Sequence, residues 1–396
     1  MKKSIVGTYL GLLAIFTMCI SYSSGIYSNF LRSHGLSEIE TNLVNVSFFL
    51  TIFLFEIPTG IYADVFGRKK SFVISCFLIS AGGFVYSQVN SMTGFIVAEI
   101  ISAIGITFYS GAFQAWFIDR LKHYGYKEKL TKIFALEGIV RASASIVVSV
   151  IGGKLADADY SLPWLADSVT GLVTGILAMI FMKEEYLVKK DSSWYESLVK
   201  VKRTTKNSWR YMRTDKAFRF ILIIGFALSF TVMAPNMQWA KIFKDHLGTN
   251  YNTSLVMIGI QLMIMLGVYA SRWFLPLFKG DEQKAIAICQ ILIGLTMILT
   301  VLSGNLMSMT TFFLIHEVFR GLFRPIKDAY LHEMLPKAER ATLTSFESMY
   351  GHLGGAIGLV TSGLIATYCG IPTAWLVTGS ILILITLVLK NRRLKQ

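Results

Sequence analysis

Twelve runs of about 20 mostly apolar residues follow one another along the 396-residue chain, separated by polar loops. A helix of that length crosses the hydrocarbon core of a bilayer, where only helices and closed barrels satisfy every backbone N–H and C=O internally. The expected fold is an all-α membrane protein. A mean hydropathy of +0.55 with 16% charged residues excludes an ordinary soluble enzyme. The first run, 5–30, follows Lys2 and Lys3 but is too long for the apolar core of a secretory signal, so it reads as the first span.

The 38 Lys and Arg residues against 24 Asp and Glu give a formal charge of +14, which in a soluble chain would suggest a nucleic-acid partner. Their positions give another reason. With the N-terminus placed in the cytoplasm, Lys2, Lys3, Arg68, Lys69, Lys70, Arg120, Lys122, the basic residues of 183–219 and those of the C-terminal tail all fall on the cytoplasmic side. Only Arg32, Lys154, Lys241 and Lys244 fall outside. This is the positive-inside pattern. It predicts a cell membrane protein of the inner (cytoplasmic) membrane with both termini cytoplasmic, and makes lipid rather than nucleic acid the partner.

Enzyme chemistry finds no support. The four cysteines and six histidines are scattered without metal-ligand spacing. There is no phosphate-binding glycine loop and no converging nucleophilic pair. The sequence therefore predicts no cofactor, no metal and no catalytic residue.

The polar stretch 183–219 divides the spans six and six: an N-terminal bundle 1–182, a linker, and a C-terminal bundle 220–396. Within the linker, Trp194, Leu198, Val201, Thr205, Trp209 and Met212 share one helical face and Arg203, Lys206, Arg210 and Arg213 another, which predicts an amphipathic helix at the cytoplasmic interface. The halves also echo each other. Gly60-Ile61-Tyr62-Ala63-Asp64 matches Gly267-Val268-Tyr269-Ala270-Ser271, Glu99 matches Glu317, and Glu137 matches Glu347. Parallel six-helix repeats are one architecture of secondary transporters.

The segment Glu56-Ile57-Pro58-Thr59-Gly60-Ile61-Tyr62-Ala63-Asp64-Val65-Phe66-Gly67-Arg68-Lys69-Lys70 resembles the G-x-x-x-D-x-x-G-R-[RK] signature of the major facilitator superfamily, in a bacterial twelve-span branch with E-x-P-T-G before it. Ser110 to Asp119, Arg320-Gly321 and Arg340-Ala341-Thr342 extend the resemblance along the chain. It implies twelve transmembrane helices in two six-helix bundles, with spans 1, 4, 7 and 10 lining a cavity and 3, 6, 9 and 12 facing lipid. It also implies that Gly60, Asp64, Gly67, Arg68 and Lys69 form a gating motif in which Asp64 and Arg68 share a charge network with Asp119 and Arg120. Gly60 and Gly67 are expected to allow close approach and a tight turn.

Charges in hydrocarbon are costly and mark functional sites. Proton-coupling candidates are Glu56, Glu99, Glu137 and Glu347; Glu137 and Arg141, four apart on one helical face, are expected to pair. Substrate-cavity candidates are Tyr22, Tyr27, Tyr109, Gln114, Asn236, Trp239, His316, Glu317, Arg320 and Arg324. Glu317, Arg320 and Arg324 share a face of span 10 and are expected to form an ion-pair hub for Glu347 and Asp328.

The expected function is secondary active transport by alternating access: proton-coupled efflux of hydrophobic or cationic small molecules by a monomer. Two readings stand beside it, proton-coupled uptake of a small metabolite and a non-transporting membrane sensor. Against antiport, the fifth-span glycine-proline pattern of the family's proton antiporters is replaced at Ala144, Val148 and Ser149, and its fourth-span basic position falls near Ile101.

Overall fold

A computed structural model describes residues 2–126, 130–184, 209, 211–335 and 340–394. The described residues are helical throughout, without a strand: α1 (Lys2–Cys19), α2 (Tyr27–Ser33), α3 (Glu38–Phe66), α4 (Arg68–Gln88), α5 (Met92–Ser110), α6 (Phe113–His123), α7 (Thr131–Ala158), α8 (Leu162–Phe181), α9 (Lys216–Leu247), α10 (Asn250–Phe274) with a 3₁₀ turn (Leu275–Phe278), α11 (Glu282–Leu302), α12 (Leu306–Met334), α13 (Arg340–Cys369) and α14 (Ile371–Leu394).

Ten of the twelve expected spans are helices long and apolar enough to cross a membrane. The other two differ for physical reasons. Span 1 is not one helix: α1 ends at Cys19, and the chain passes through a turn before α2 begins at Tyr27. Span 10 is one continuous helix, α12, but Glu317, Arg320, Arg324, Lys327 and Asp328 lower its hydropathy. Pro325 sits inside it.

Contacts divide the chain into two compact units. The first comprises Met1–Gly35, Ser47–Val201 and Leu247–Met257; the second Leu36–Val46, Lys202–His246 and Ile258–Gln396. Each has its own apolar core. In the first, Tyr9 stacks on Phe113 and Phe117 with centroids 4.9 and 3.9 Å away, beside buried Phe16, Phe72 and Trp116. In the second, Phe218, Ile221, Ile286, Ile293 and Leu322 close the core. Gln290 joins three helices there, donating to Ile224 O at 2.7 Å and accepting from Thr386 Oγ1 at 2.9 Å.

Two short pieces cluster away from their neighbours in sequence. The start of α3 joins the second unit, where Asn42 Nδ2 donates to Leu359 O at 2.8 Å and Ile39 N to Thr367 Oγ1 at 3.0 Å. The start of α10 joins the first, where the Asp157 carboxylate accepts from Asn250 N at 2.7 Å and Tyr251 N at 2.9 Å. In each case a side chain from another helix satisfies N–H groups that a helix start leaves open. Most of the expected amphipathic linker helix, including Trp194, Leu198, Val201 and Thr205, lies outside the described residues.

Candidate functional site

The motif between α3 and α4 depends on Gly67, whose φ of +107° is a conformation that side-chain-bearing residues rarely adopt. The turn directs Arg68 at Asp119 in a close ion pair, while Asp64 lies 3.8 Å from the Arg68 guanidinium and is 60% exposed. Asp64, Arg68 and Asp119 therefore do meet, all within the first unit. Two expectations need correction. Arg120 lies over the Trp116 ring, 5.6 Å from its centroid, rather than at the carboxylates. Gly60 makes no close approach, since nothing lies within 4 Å of where a Cβ would sit. The repeat is unequal here: a Cβ on its counterpart Gly267 would lie 2.0 Å from Val318 O.

Sequence reasoning missed Glu184. Its Oε1 and Oε2 accept from Arg68 N at 2.8 Å and Lys69 N at 3.2 Å, capping α4 where a negative charge suits the helix dipole. Lys69 Nζ donates to Met179 O at 2.7 Å.

Two buried carboxylates in the first unit gather tyrosines from other helices. Glu137 on α7 accepts from Tyr9 Oη at 2.6 Å and from Arg141 Nε at 3.1 Å and Nη2 at 3.0 Å; Arg141 in turn contacts Tyr109 Oη. The expected pair of Glu137 and Arg141 thus belongs to a four-residue network spanning α1, α5 and α7. Tyr109 also stacks on Phe16 at 4.2 Å. Glu99 on α5, 5% exposed, accepts from Tyr27 Oη at 3.0 Å and Tyr86 Oη at 2.6 Å. Trp164 lies flat on Tyr86 at 4.0 Å. Tyr9 and Tyr86 escaped sequence reasoning because an isolated tyrosine in an apolar run reads as core.

Glu56, by contrast, is only half-buried and accepts from Ser110 Oγ at 3.0 Å.

In the second unit the expected hub divides. Glu317, 1% exposed, pairs with Arg320 at 2.8 Å. Arg324 points away, 85% exposed, with Asp328 at 3.6 Å. Glu347 takes its cation from Lys327, at 2.8 Å, and not from an arginine. The signal for Lys327 was present, since it falls three residues after Arg324 and seven after Arg320. His316 is buried, with Nδ1 3.2 Å from Ile293 O. Trp239 packs on Phe313 and Phe243, while Asn236 and Gln114 are exposed and Tyr22 half-buried. These last residues join none of the polar clusters described above. No group of three or more potential metal-ligating side chains converges among the described residues.

The sequence profile of the Major Facilitator Superfamily matches residues 9–315 and 279–395, essentially the whole chain. The chain belongs to the major facilitator superfamily. It is a multi-pass membrane transporter of that family rather than an enzyme, and such transporters bind small-molecule substrates within the membrane.

Among curated relatives, the uncharacterized MFS-type transporter YxaM of Bacillus subtilis (strain 168) is 22% identical over 393 residues, covering 95% of this chain and 92% of that protein. Multidrug resistance protein 2 of the same organism is 21% identical over 366 residues, covering 92% and 89%. Among solved structures, the nucleoside transporter NupG superposes with a TM-score of 0.77 at 13% identity, covering 98% of this chain and 98% of that one. The last similarity bears on fold alone.

Proposed function

We propose that this superfamily member is a proton-coupled exporter of hydrophobic or cationic small molecules, seated in the cytoplasmic membrane with both termini inside. The observation that carries the reading is the Glu137 network. A carboxylate buried in a membrane bundle and bonded to Arg141 and Tyr9 has two competing partners, so a change of protonation changes which helices it holds together. Proton coupling needs a group of this kind. Glu99, held by two tyrosines, is the second such group in the first unit. Resemblance along the whole chain to Multidrug resistance protein 2 supports export of amphipathic compounds, for which aromatic surroundings such as those of Glu99 are suited.

The Asp64, Arg68 and Asp119 cluster is assigned to gating, because a protein that only senses has no need of a charged latch at a helix turn. The departures at Ile101, Ala144, Val148 and Ser149 weaken efflux by antiport, and uptake of a small metabolite is the competing reading. Everted membrane vesicles energised by an imposed pH gradient distinguish the two. Lipophilic cations such as ethidium should accumulate in vesicles containing the protein, and Glu137→Gln should abolish accumulation. If a panel of lipophilic cations and anions shows no gradient-driven movement in either direction, the reading is wrong.

A further inference from the structure

The break in span 1, at Ser21-Tyr22-Ser23-Ser24-Gly25, has a specific partner. After Cys19 the helix tightens, with Ile20 N bonding to Thr17 O at 3.3 Å and Ser21 N to Met18 O at 3.1 Å. Regular helical bonding resumes when Phe30 N reaches Ile26 O at 2.8 Å. Between these points Tyr22 and Ser23 would have backbone N–H groups without helical acceptors, a cost of several kcal/mol per group in a lipid environment. Both are taken by one side chain: Tyr22 N donates to Asp167 Oδ1 at 3.1 Å and Ser23 N to Asp167 Oδ2 at 3.2 Å.

Asp167 is on α8 and 3% exposed, and among the described residues it has no ion pair. Both of its carboxyl oxygens are engaged by backbone N–H groups of the break. The other side of the break is pressed by α7, where a Cβ on Gly152 would lie 1.9 Å from Tyr22 O. An uninterrupted helix through 20–26 would need no acceptor from α8. A carboxylate placed here is therefore useful only if span 1 stays broken.

The break determines where α2 points, and α2 carries Tyr27, whose hydroxyl donates to Glu99. We infer that Asp167 is the positioning residue of the Glu99 site: by holding span 1 open at Tyr22 and Ser23, it lets α2 set Tyr27 against the Glu99 carboxylate independently of α1. The consequence for transport rests on the proposed role of Glu99 in proton coupling. The positional claim does not.

The test uses the full chain in lipid nanodiscs with two readouts. Hydrogen exchange should show the Tyr22 and Ser23 amides opening about tenfold faster in Asp167→Ala, the scale of leaving a buried N–H without its acceptor. Infrared difference spectra provide the second readout, with the Glu99 carboxyl band assigned by its loss in Glu99→Gln. Tyr27→Phe should alter that band. Asp167→Ala should alter it in the same way, the double variant should add nothing, and Asp167→Asn, which keeps one acceptor oxygen, should restore part of the wild-type band.

If Asp167→Ala frees the amides but leaves the Glu99 band unchanged, Asp167 is only a local cap and the inference is overturned. Additive band changes in the double variant overturn it too. Where Asp167→Ala does not fold, Asp167→Asn with Tyr27→Phe carries the same comparison. Separately, proton-coupled flux unaffected by Glu99→Gln would remove Glu99 from the proposed function, whatever the band shows.

Discussion

Replacing Asp157 tests how the start of α10 is held. Asn250 and Tyr251 contribute two of the N–H groups that a first helical turn leaves without partners, and both bond to Asp157 across 93 and 94 positions of sequence. Losing an N-cap acceptor costs about 0.5–2 kcal/mol, and a bond to a charged group is worth about 1.5–3 kcal/mol. Asp157 is exposed, so solvent screening keeps the total toward the lower end. About 1.4 kcal/mol corresponds to about tenfold in local opening.

Hydrogen exchange of peptides spanning 247–257, followed by mass spectrometry in nanodiscs, reads this directly. Asp157→Ala should speed exchange about tenfold, and Asp157→Asn, with one acceptor oxygen left, about threefold. Tyr160→Phe removes the bond to Asn250 Oδ1 at 3.1 Å, which leaves the Asp157 bonds to the two amides in place, and should have the smallest effect. The reasoning is refuted if Asp157→Ala leaves these amides unchanged, or if it speeds exchange equally in α11, which does not contain the bonded residues.

Other predictions concern the motif and the charged clusters. Gly67→Ala forces a side chain into a φ of +107° and should lower the melting temperature in detergent, by about 1–3 kcal/mol of strain, whereas Gly60→Ala, with open space around it, should be neutral or stabilising. Lys327→Met leaves Glu347 buried without its cation and should destabilise more than the Lys327→Met, Glu347→Gln double variant; a double variant worse than the single contradicts the pairing. A water-soluble maleimide should label Cys369 in the folded protein and spare buried Cys19, Cys76 and Cys289, as peptide mapping would report.

The sequence made the helices legible because a bilayer imposes a length and an apolar composition on every crossing, and those are local properties. It also made Glu137 and Arg141 legible as a pair, since four residues along a helix bring side chains to one face. Partners brought by tertiary packing were not legible. The break in span 1 falls at Ser21-Tyr22-Ser23-Ser24-Gly25, a turn-forming cluster that the apolar run around it hid, and the acceptor that stabilises it, Asp167, lies about 145 positions away. Glu184 reaches the start of α4 from beyond α8, and Lys327 takes Glu347 from the neighbouring helix while Arg324, on the expected hub, is exposed beside Asp328. Gly60 and Gly67 share one motif, yet only Gly67 is required by backbone geometry. A motif states which residues recur, and the structure separates those that shape the turn from those that merely accompany it.

The central claim is that this transporter couples substrate movement to protons through the buried carboxylates of its first unit, with Glu137 foremost. The most direct measurement is proton flux in proteoliposomes containing a trapped pH-sensitive dye, with ethidium added under an imposed substrate gradient and no initial pH difference. The account predicts a substrate-dependent change in internal pH that is lost in Glu137→Gln while ethidium binding persists. Ethidium movement at the wild-type rate without any accompanying pH change would contradict it.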